Sequence, residues 1–441
     1  MDYYVDALNG SILKRQTHRL DEGTATILHQ GNRFIYTKWH GGFKRFYSLE
    51  TDLTRDIRTQ YYVDDNTFYK PDKLITKSDN AWGTFQQKAT TAHWCVTKSW
   101  DYFKNRYGKK GMGIFPKKIL VRADASGSSN SAFYTQQLST EIDVITFGYL
   151  NNTYRAIIDV AGHEYTHGLM KNWIKPVYEK ESGALNESFA DIFGFLVERY
   201  AQEGVSDWTF GEDAGTTRNM ANPNEYNQPS TYKTDGYWYS TSNCTPAISN
   251  DYCGVHINSG IQNYWFHLLV EGGTGVNANN EPFQVIGIDV EPAATLMWHY
   301  IRNFITPSIN YSTARASSVS AAKVLFGDCS FIVMQVENAW HAVGVGNRSI
   351  CAGNPDLGDK ETISTTCLLY PIPTKDYLNI QFPTTGYNRN LKIYDLKGIK
   401  LISIEGNASH TTISLQSLPS GVYFLRVEES ENSLTYRFVK L

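Results

Sequence analysis

No stretch of the chain is apolar for long enough to cross a bilayer, so nothing in it reads as a membrane span. The opening residues Met1-Asp2-Tyr3-Tyr4 lack a basic region followed by an apolar one, so they do not read as a signal peptide. Charge is sparse: Asp, Glu, Lys and Arg make up 19% of the residues and the net charge is -3. Lys and Arg are scattered, which argues against a nucleic-acid or membrane-surface footprint. The six cysteines, at 95, 244, 253, 329, 351 and 367, form no C-x-x-C pair. Thiolate zinc sites and thioredoxin-type redox sites are therefore not expected. Tandem repeats and low-complexity tracts are missing as well.

What is present suffices for two to four folding units in 441 residues. Hydrophobic residues are 41% of the chain and aromatics 14%, with 29 Tyr. Such a composition fits an extracellular hydrolase, and many binding proteins share it. Cysteine spacing permits bridges Cys244–Cys253 and Cys329–Cys351, while buried free thiols fit equally well.

Residues 1–20 hold a strand-like piece, Tyr3-Tyr4-Val5-Asp6-Ala7, a turn at Asn9-Gly10 and a basic stretch. From about 21 to 150 short strands are broken by Gly, Asn and Asp, with one amphipathic helix expected over 89–107. Further helices are expected over 155–172, 187–203 and 258–272. Residues 351–368, rich in Gly, Pro, Asp, Ser and Thr, read as a linker. Beyond it the period returns to two, predicting strands around 378–380, 391–394, 412–415 and 422–427 of a small β-sandwich.

The most informative motif is His163-Glu164-Tyr165-Thr166-His167. Residues four apart on a helix share a face, about 6 Å apart along the axis. Both imidazoles can then converge on one cation, with Ala156 and Val160 packing beneath them. Glu164 projects beside that cation and can take a proton from its water without being a ligand. A third ligand is required. Trp173 stands where one zinc class places a third His, so the alternative is a Glu from a following helix. Glu187, twenty residues after His167, meets that requirement. Asp191, one turn further, can accept the remaining N–H of a ligating histidine. The plainer reading of Glu187 and Asp191 is that of first-turn acids favoured by the helix dipole.

His163-Glu164-Tyr165-Thr166-His167, Asn186-Glu187-x-x-x-Asp191 and Asp251-Tyr252-Cys253-Gly254-Val255-His256-Ile257-Asn258-Ser259-Gly260 together resemble the thermolysin family of zinc metallopeptidases, over roughly residues 21–350. The resemblance implies an α+β fold: a β-rich lobe (21–172) ending in the zinc-motif helix, then a mainly helical lobe (173–350). It implies one catalytic zinc on His163, His167 and Glu187, with Glu164 polarising the attacking water. His256 and Tyr178 match the donors that meet the negative charge of the tetrahedral species, and Asp251 would orient His256. Arg218 matches the arginine that holds a substrate carbonyl, and Asn130, Ser131 and Ala132 match the strand that pairs with the substrate backbone. Asp159, Glu198, Asp207 and Glu212 match the carboxylates of a paired calcium site, implying one or two structural calcium ions. The family prefers a bulky apolar residue after the scissile bond. Ser131 stands where it usually has Asn, and Thr217 where an apolar pocket residue is common.

The ends resemble known pieces too. Tyr4-Val5-Asp6-Ala7-Leu8-Asn9-Gly10 is similar to the last strand and turn of the family's pro-domain, making residues 1–20 a remnant of a truncated precursor. Residues 369–441 resemble the C-terminal sorting domain of the type IX secretion system of some Gram-negative bacteria. The pieces are Tyr370-Pro371-Ile372-Pro373-Thr374, Ile393-Tyr394-Asp395-Leu396-Lys397-Gly398, Leu418-Pro419-Ser420-Gly421-Val422-Tyr423 and Arg437-Phe438-Val439-Lys440-Leu441. The implied protein is a secreted or cell-surface monomeric zymogen, with a peptide or protein substrate, its own pro-domain and the secretion machinery as partners. Secretion favours the two disulfides. A catalytically dead relative would be expected to have lost Glu164, a zinc ligand or His256, and all are present. A zinc hydrolase for another substrate fits the edge-strand segment and Arg218 less well.

Overall fold

The computed structural model describes residues 21–351 apart from 42–44, 53, 63–73, 114, 116, 126–131, 138–141 and 205, and 367–440 apart from 371–373, 383–385, 387, 396–398, 430 and 431. Before residue 20 it describes two strands, Asp2–Val5 and Ile12–Gln16, paired antiparallel. Asn130, Ser131, the turn at Asn9-Gly10, residues 352–366 of the expected linker, 371–373 and 396–398 lie outside the described residues. The chain divides into two compact units, Met1–Met220 and Ala221–Leu441.

In the first unit, strands Thr76–Lys77, Phe46–Ser48, Gly31–His40, Asp21–Ile27 and Ala81–Trp82 form one sheet in that order. A second sheet runs Ala132–Gln137, Ile142–Phe147, Ile119–Ala123, Ile57–Tyr61. Its inner strand Ile119–Ala123 is parallel to both neighbours and its side chains are nearly all buried, as an apolar run with sheet on either side must be. Ala132–Gln137 is an edge strand, antiparallel to Ile142–Phe147 and only partly buried.

Two helices pack on these sheets and a third packs on those two. Helix α1 (Gln87–Tyr107) ends on Gly108 in the left-handed conformation, a cap glycine adopts without strain. Helix α2 (Ile158–Trp173) and helix α3 (Lys180–Ala201) approach very closely. A Cβ at Gly162 would stand 2.9 Å from the Val197 Cβ, and one at Gly194 would stand 2.6 Å from the Asp159 carbonyl oxygen. Only glycine lets the two backbones come so near. Phe103 of α1 stacks on Tyr165 of α2 at 5.3 Å between ring centroids and lies 5.4 Å from Phe193 of α3. Each such buried aromatic pair adds about 0.5–1.5 kcal/mol beyond its area. This packing fixes the rotation of α2, and so the direction in which its histidines point.

Helix α3 begins seven residues before the 187 read from the periodicity. The low helix propensity of Ser182-Gly183 hides its first turns, while burial of Ala184 and Leu185 against the core pulls them in. Glu187 therefore lies about two turns inside the helix and is fully buried, so it is not a first-turn acid.

The second unit holds α4 (Asp251–Asn258), α5 (Gly260–Glu271), a hairpin Gly272–Val276/Pro282–Ile286, α6 (Val290–Asn303), α7 (Tyr311–Phe326) and α8 (Phe331–Ala342). Trp265 stacks on Trp340 at 4.7 Å in its core. The tail has two sheets. Strands Leu368–Tyr370, Tyr377–Gln381 and His410–Ser414 form one, and Lys400–Gly406, Arg389–Tyr394, Gly421–Glu429 and Asn432–Lys440 the other. Leu378, Ile380, Leu391, Ile393, Ile413, Leu425 and Val427 alternate into a shared core, as the period of two predicts. The strand Lys400–Gly406 escaped that reading because it is a sheet edge with little buried. Both cysteine readings hold in part: Cys244–Cys253 and Cys329–Cys351 are bridged, whereas Cys95 and Cys367 are buried free thiols. Among the described residues no helix is long and apolar enough to cross a membrane.

Candidate metal centre

His163 and His167 project from one face of α2 towards Glu187 of α3. The two Nε2 atoms lie 2.9 Å apart. Glu187 Oε2 is 3.3 Å from His163 Nε2, and Glu187 Oε1 is 3.3 Å from His167 Nε2. Ligand atoms about 2.0–2.1 Å from a tetrahedral zinc stand about 3.3 Å from one another, so this triangle has the right size for that ion. Among the described residues it is the one group of three or more His, Cys, Asp or Glu side chains so closely gathered.

The outer nitrogens are held as a ligating imidazole requires. His163 Nδ1–H donates to Asp191 Oδ1 at 2.8 Å, and His167 Nδ1–H donates to Asn186 Oδ1 at 3.1 Å. Once its proton is displaced, each Nε2 is left as the lone-pair atom. The role of Asn186 was not read from the sequence, although it precedes Glu187 in the motif. Its signal is the helical spacing, since Asn186 and Asp191 flank Glu187 on α3. Replacing Asn186 by Ala is expected to weaken zinc affinity by roughly 10–100-fold, measured by competition with a chelator. An unchanged dissociation constant would show that this contact does not orient His167.

Burial works against a charged His163, yet the carboxylates of Asp191 and Glu187 outweigh it and push its pKa up to about 10. Burial raises Asp191 as well, but Arg218 and His163 bring it below the usual carboxylate range. The pocket thus favours positive charge between its ligands. A divalent cation satisfies that demand by replacing the Nε2 proton, so metal affinity falls at low pH.

Glu164, beside His163 on α2, is buried at the same place. The Tyr178 hydroxyl donates to Glu187 Oε1, and its ring lies 6.3 Å from that of His167. Arg218 donates from Nη2 to Asp191 Oδ1 at 2.6 Å and lies over the Phe210 ring at 4.3 Å. The structure therefore gathers His163, Glu164, His167, Tyr178, Glu187, Asp191 and Arg218. Ala132 begins the edge strand of the second sheet.

The four acids expected to bind calcium lie near enough to act on one another's charge, though no three of them are gathered as closely as the zinc triangle. Asp159 accepts from the N–H groups of Val160 (2.6 Å) and Gly211 (2.5 Å). Glu198 and Glu212 lie beside each other, and both feel the charges of Asp159 and Asp207. Burial first, then these neighbouring carboxylates, push Glu198 up to about 10 and Glu212 up to about 7. Glu198 Oε2 and Glu212 Oε2 are buried without a hydrogen-bond partner among the described residues. Asp207 is exposed, its Oδ1 accepting from the N–H of Thr209 at 2.7 Å. Buried like charges with unsatisfied oxygens fit a hard cation.

In the second unit, His256 makes two bonds to one carboxylate: its N–H donates to Asp251 Oδ2 at 2.8 Å and its Nδ1–H to Asp251 Oδ1 at 2.5 Å. The intervening backbone is left-handed, with φ of 53° at Asp251, 48° at Tyr252, 71° at Cys253 and 78° at Gly254. Each non-glycine residue in that region costs about 1–2 kcal/mol.

Comparison with known proteins bears on the same residues. Residues 22–171 match the family profile "Thermolysin metallopeptidase, catalytic domain", and residues 176–345 match "Thermolysin metallopeptidase, alpha-helical domain". Residues 368–441 match "Secretion system C-terminal sorting domain". A bacillolysin of Brevibacillus brevis is 33% identical over 357 residues, which is 78% of this chain and 61% of that protein. A thermolysin of Alicyclobacillus acidocaldarius is 31% identical over 368 residues, covering 78% and 63%. The chain thus spans 61–63% of the length of these curated relatives. Among solved structures, the precursor of protealysin, a metalloproteinase from Serratia proteamaculans, superposes with a TM-score of 0.51 at 22% identity, over 67% of this chain and 89% of that one, and shares its fold.

Proposed function

The chain belongs to the thermolysin family of metallopeptidases and ends in a type IX secretion sorting domain, and from that premise we propose that it is a neutral zinc metalloendopeptidase. The sorting domain makes it a secreted or cell-surface protein. The observation that carries the reading is the His163–His167–Glu187 triangle with Glu164 beside it on α2. All of these groups and their orienting partners come from residues 163–218 of one chain, which supports a monomer as the working unit.

Zinc held by His163, His167 and Glu187 would supply a Lewis acid that brings the pKa of water towards about 7. Glu164 takes the proton of the attacking water and returns it to the leaving amine. Tyr178 and His256, the latter oriented by Asp251, donate to the carbonyl oxygen as it becomes negative. Arg218 holds a substrate carbonyl, and the edge strand beginning at Ala132 pairs with an extended peptide, with Asn130 and Ser131 as further contacts. In this reading the residue after the scissile bond is apolar. One or two calcium ions held by Asp159, Glu198, Asp207 and Glu212 brace α2 against α3 and the loop beyond it. Residues 1–20 are the end of a pro-domain, and the lobes divide at residues 172 and 173.

The test is hydrolysis of casein by the purified chain, abolished by o-phenanthroline and restored by zinc; activity that persists in the chelator overturns the reading. The tail makes a separate prediction. Truncation after Thr366 removes the tail core and, among the described residues, the hydrogen bond from the Tyr370 hydroxyl to Asp289 Oδ2 at the N-cap of α6. Peptidase activity is expected to stay within about twofold of the full chain, because that bond contributes only about 1 kcal/mol, while export fails. Normal export of the truncated chain would remove the sorting role.

A further inference from the structure

Asp251 and His256 are five residues apart, and in a right-handed helix such a pair cannot meet. Five steps turn a side chain about 140° away from its starting face. They meet because Asp251, Tyr252, Cys253 and Gly254 all lie in the left-handed region, reversing the turn between them. Three of those four carry side chains that disfavour this conformation. Left to itself the segment would relax and carry the imidazole away from the carboxylate.

Part of what opposes relaxation comes from the segment just before. The Tyr252 N–H donates to the Ala247 carbonyl at 2.9 Å, and the Cys253 N–H to Asn250 Oδ1 at 3.1 Å. Asn250 is held in turn through Nδ2 on the Thr245 carbonyl at 2.8 Å. The covalent tie is the bridge from Cys244 to Cys253, which ends on a residue at φ 71° within the left-handed run. The other bridge, Cys329–Cys351, ends outside that run.

We infer that Cys244 and Cys253 are positioning residues for the reaction: their bridge keeps the 251–254 turn left-handed and thereby holds the His256 imidazole on Asp251. The inference rests on the reading of His256 as a donor to the developing oxyanion. The bridge contacts no reacting atom. Its effect is on the transition state, where His256 acts, and not on the binding of the peptide in its ground state.

The experiment compares kcat and KM for a peptide substrate in the full chain and in His256→Ala, Cys244→Ser/Cys253→Ala, Cys244→Ser/Cys253→Gly and Cys329→Ser/Cys351→Ser, with zinc content measured in each. Cys244→Ser/Cys253→Ala is expected to lose about 10- to 100-fold in kcat with KM and zinc content little changed. Cys244→Ser/Cys253→Gly is expected to regain kcat to within about threefold of wild type, because glycine takes a positive φ without strain. Loss of the other bridge should leave kcat within about the same margin. Wild-type kcat in Cys244→Ser/Cys253→Ala, with His256→Ala impaired, overturns the inference and leaves the role of His256 standing. A glycine variant that folds but stays more than about tenfold below wild-type kcat also overturns it, even where the alanine variant does not fold. Wild-type kcat in His256→Ala overturns the reading of His256, and the inference with it.

Discussion

Glu164→Gln is expected to lower kcat by about 10²–10⁴-fold while zinc content stays near one per chain. The amide keeps the shape and burial of the carboxylate but cannot accept a proton. Each tenfold loss is about 1.4 kcal/mol, so general-base chemistry is asked to supply about 3–5 kcal/mol of the barrier reduction. Glu164 is not among the three converging ligand groups, so the metal has no reason to leave with it. That separates this variant from substitutions at His163, His167 or Glu187, where activity and zinc should disappear together. Casein hydrolysis and metal analysis on the same preparation give the answer. A Gln variant retaining more than about a tenth of wild-type activity would mean that another group removes the proton.

Removal of calcium is expected to lower the melting temperature by roughly 5–15 °C while the zinc is still bound. A ligand at about 100 to 1,000 times its Kd stabilises by about 2.7–4.1 kcal/mol, and about 1 kcal/mol is worth about 2–4 °C in domains of this size. The pH dependence should change as well. In the calcium-free chain Glu212 has a pKa of about 7 and Glu198 one of about 10, both above the ordinary carboxyl value. A carboxyl raised in the folded state supports folding while it is protonated. Its contribution is complete below the unfolded value of about 4.5 and is lost as the pH rises through the folded one. The chelated protein should therefore lose stability from about pH 5, through the Glu212 value of about 7, to the Glu198 value of about 10, and the calcium-loaded protein much less, since the cation replaces the protons. Scanning calorimetry at buffered micromolar and millimolar calcium tests both points. Identical melting curves at the two concentrations would remove calcium from the Asp159–Glu198–Glu212 cluster.

These two sites were legible in the sequence to different depths. The His163/His167 pair follows from helical spacing alone, because one turn of helix brings residues four apart onto one face. Glu187 needs the spacing to a second helix, and its burial does not follow from a helix starting at 187. The weak first turn at Ser182-Gly183 concealed two turns of α3 that only packing reveals. Asn186 escaped for a related reason. Its amide matters because it faces His167 across the α2–α3 contact, and its place beside Glu187 on α3 is the one mark of that in the sequence. In the tail, strands with one buried face announced themselves by alternation, whereas the edge strand Lys400–Gly406 has no such face to alternate.

The sequence by itself determined the helical spacing of the His163/His167 pair and the two-period tail, because each is written in spacings along one element, and its motif blocks carried the resemblance to the family. The tertiary structure alone decided how the ligands are aimed. The Gly162–Gly194 approach sets the distance between α2 and α3, and the Phe103–Tyr165–Phe193 packing sets the rotation of α2. It also decided that Asp251 and His256 meet at all. Their five-residue spacing is wrong for a right-handed helix and becomes right only through a left-handed turn, whose strain contacts elsewhere in the chain must offset.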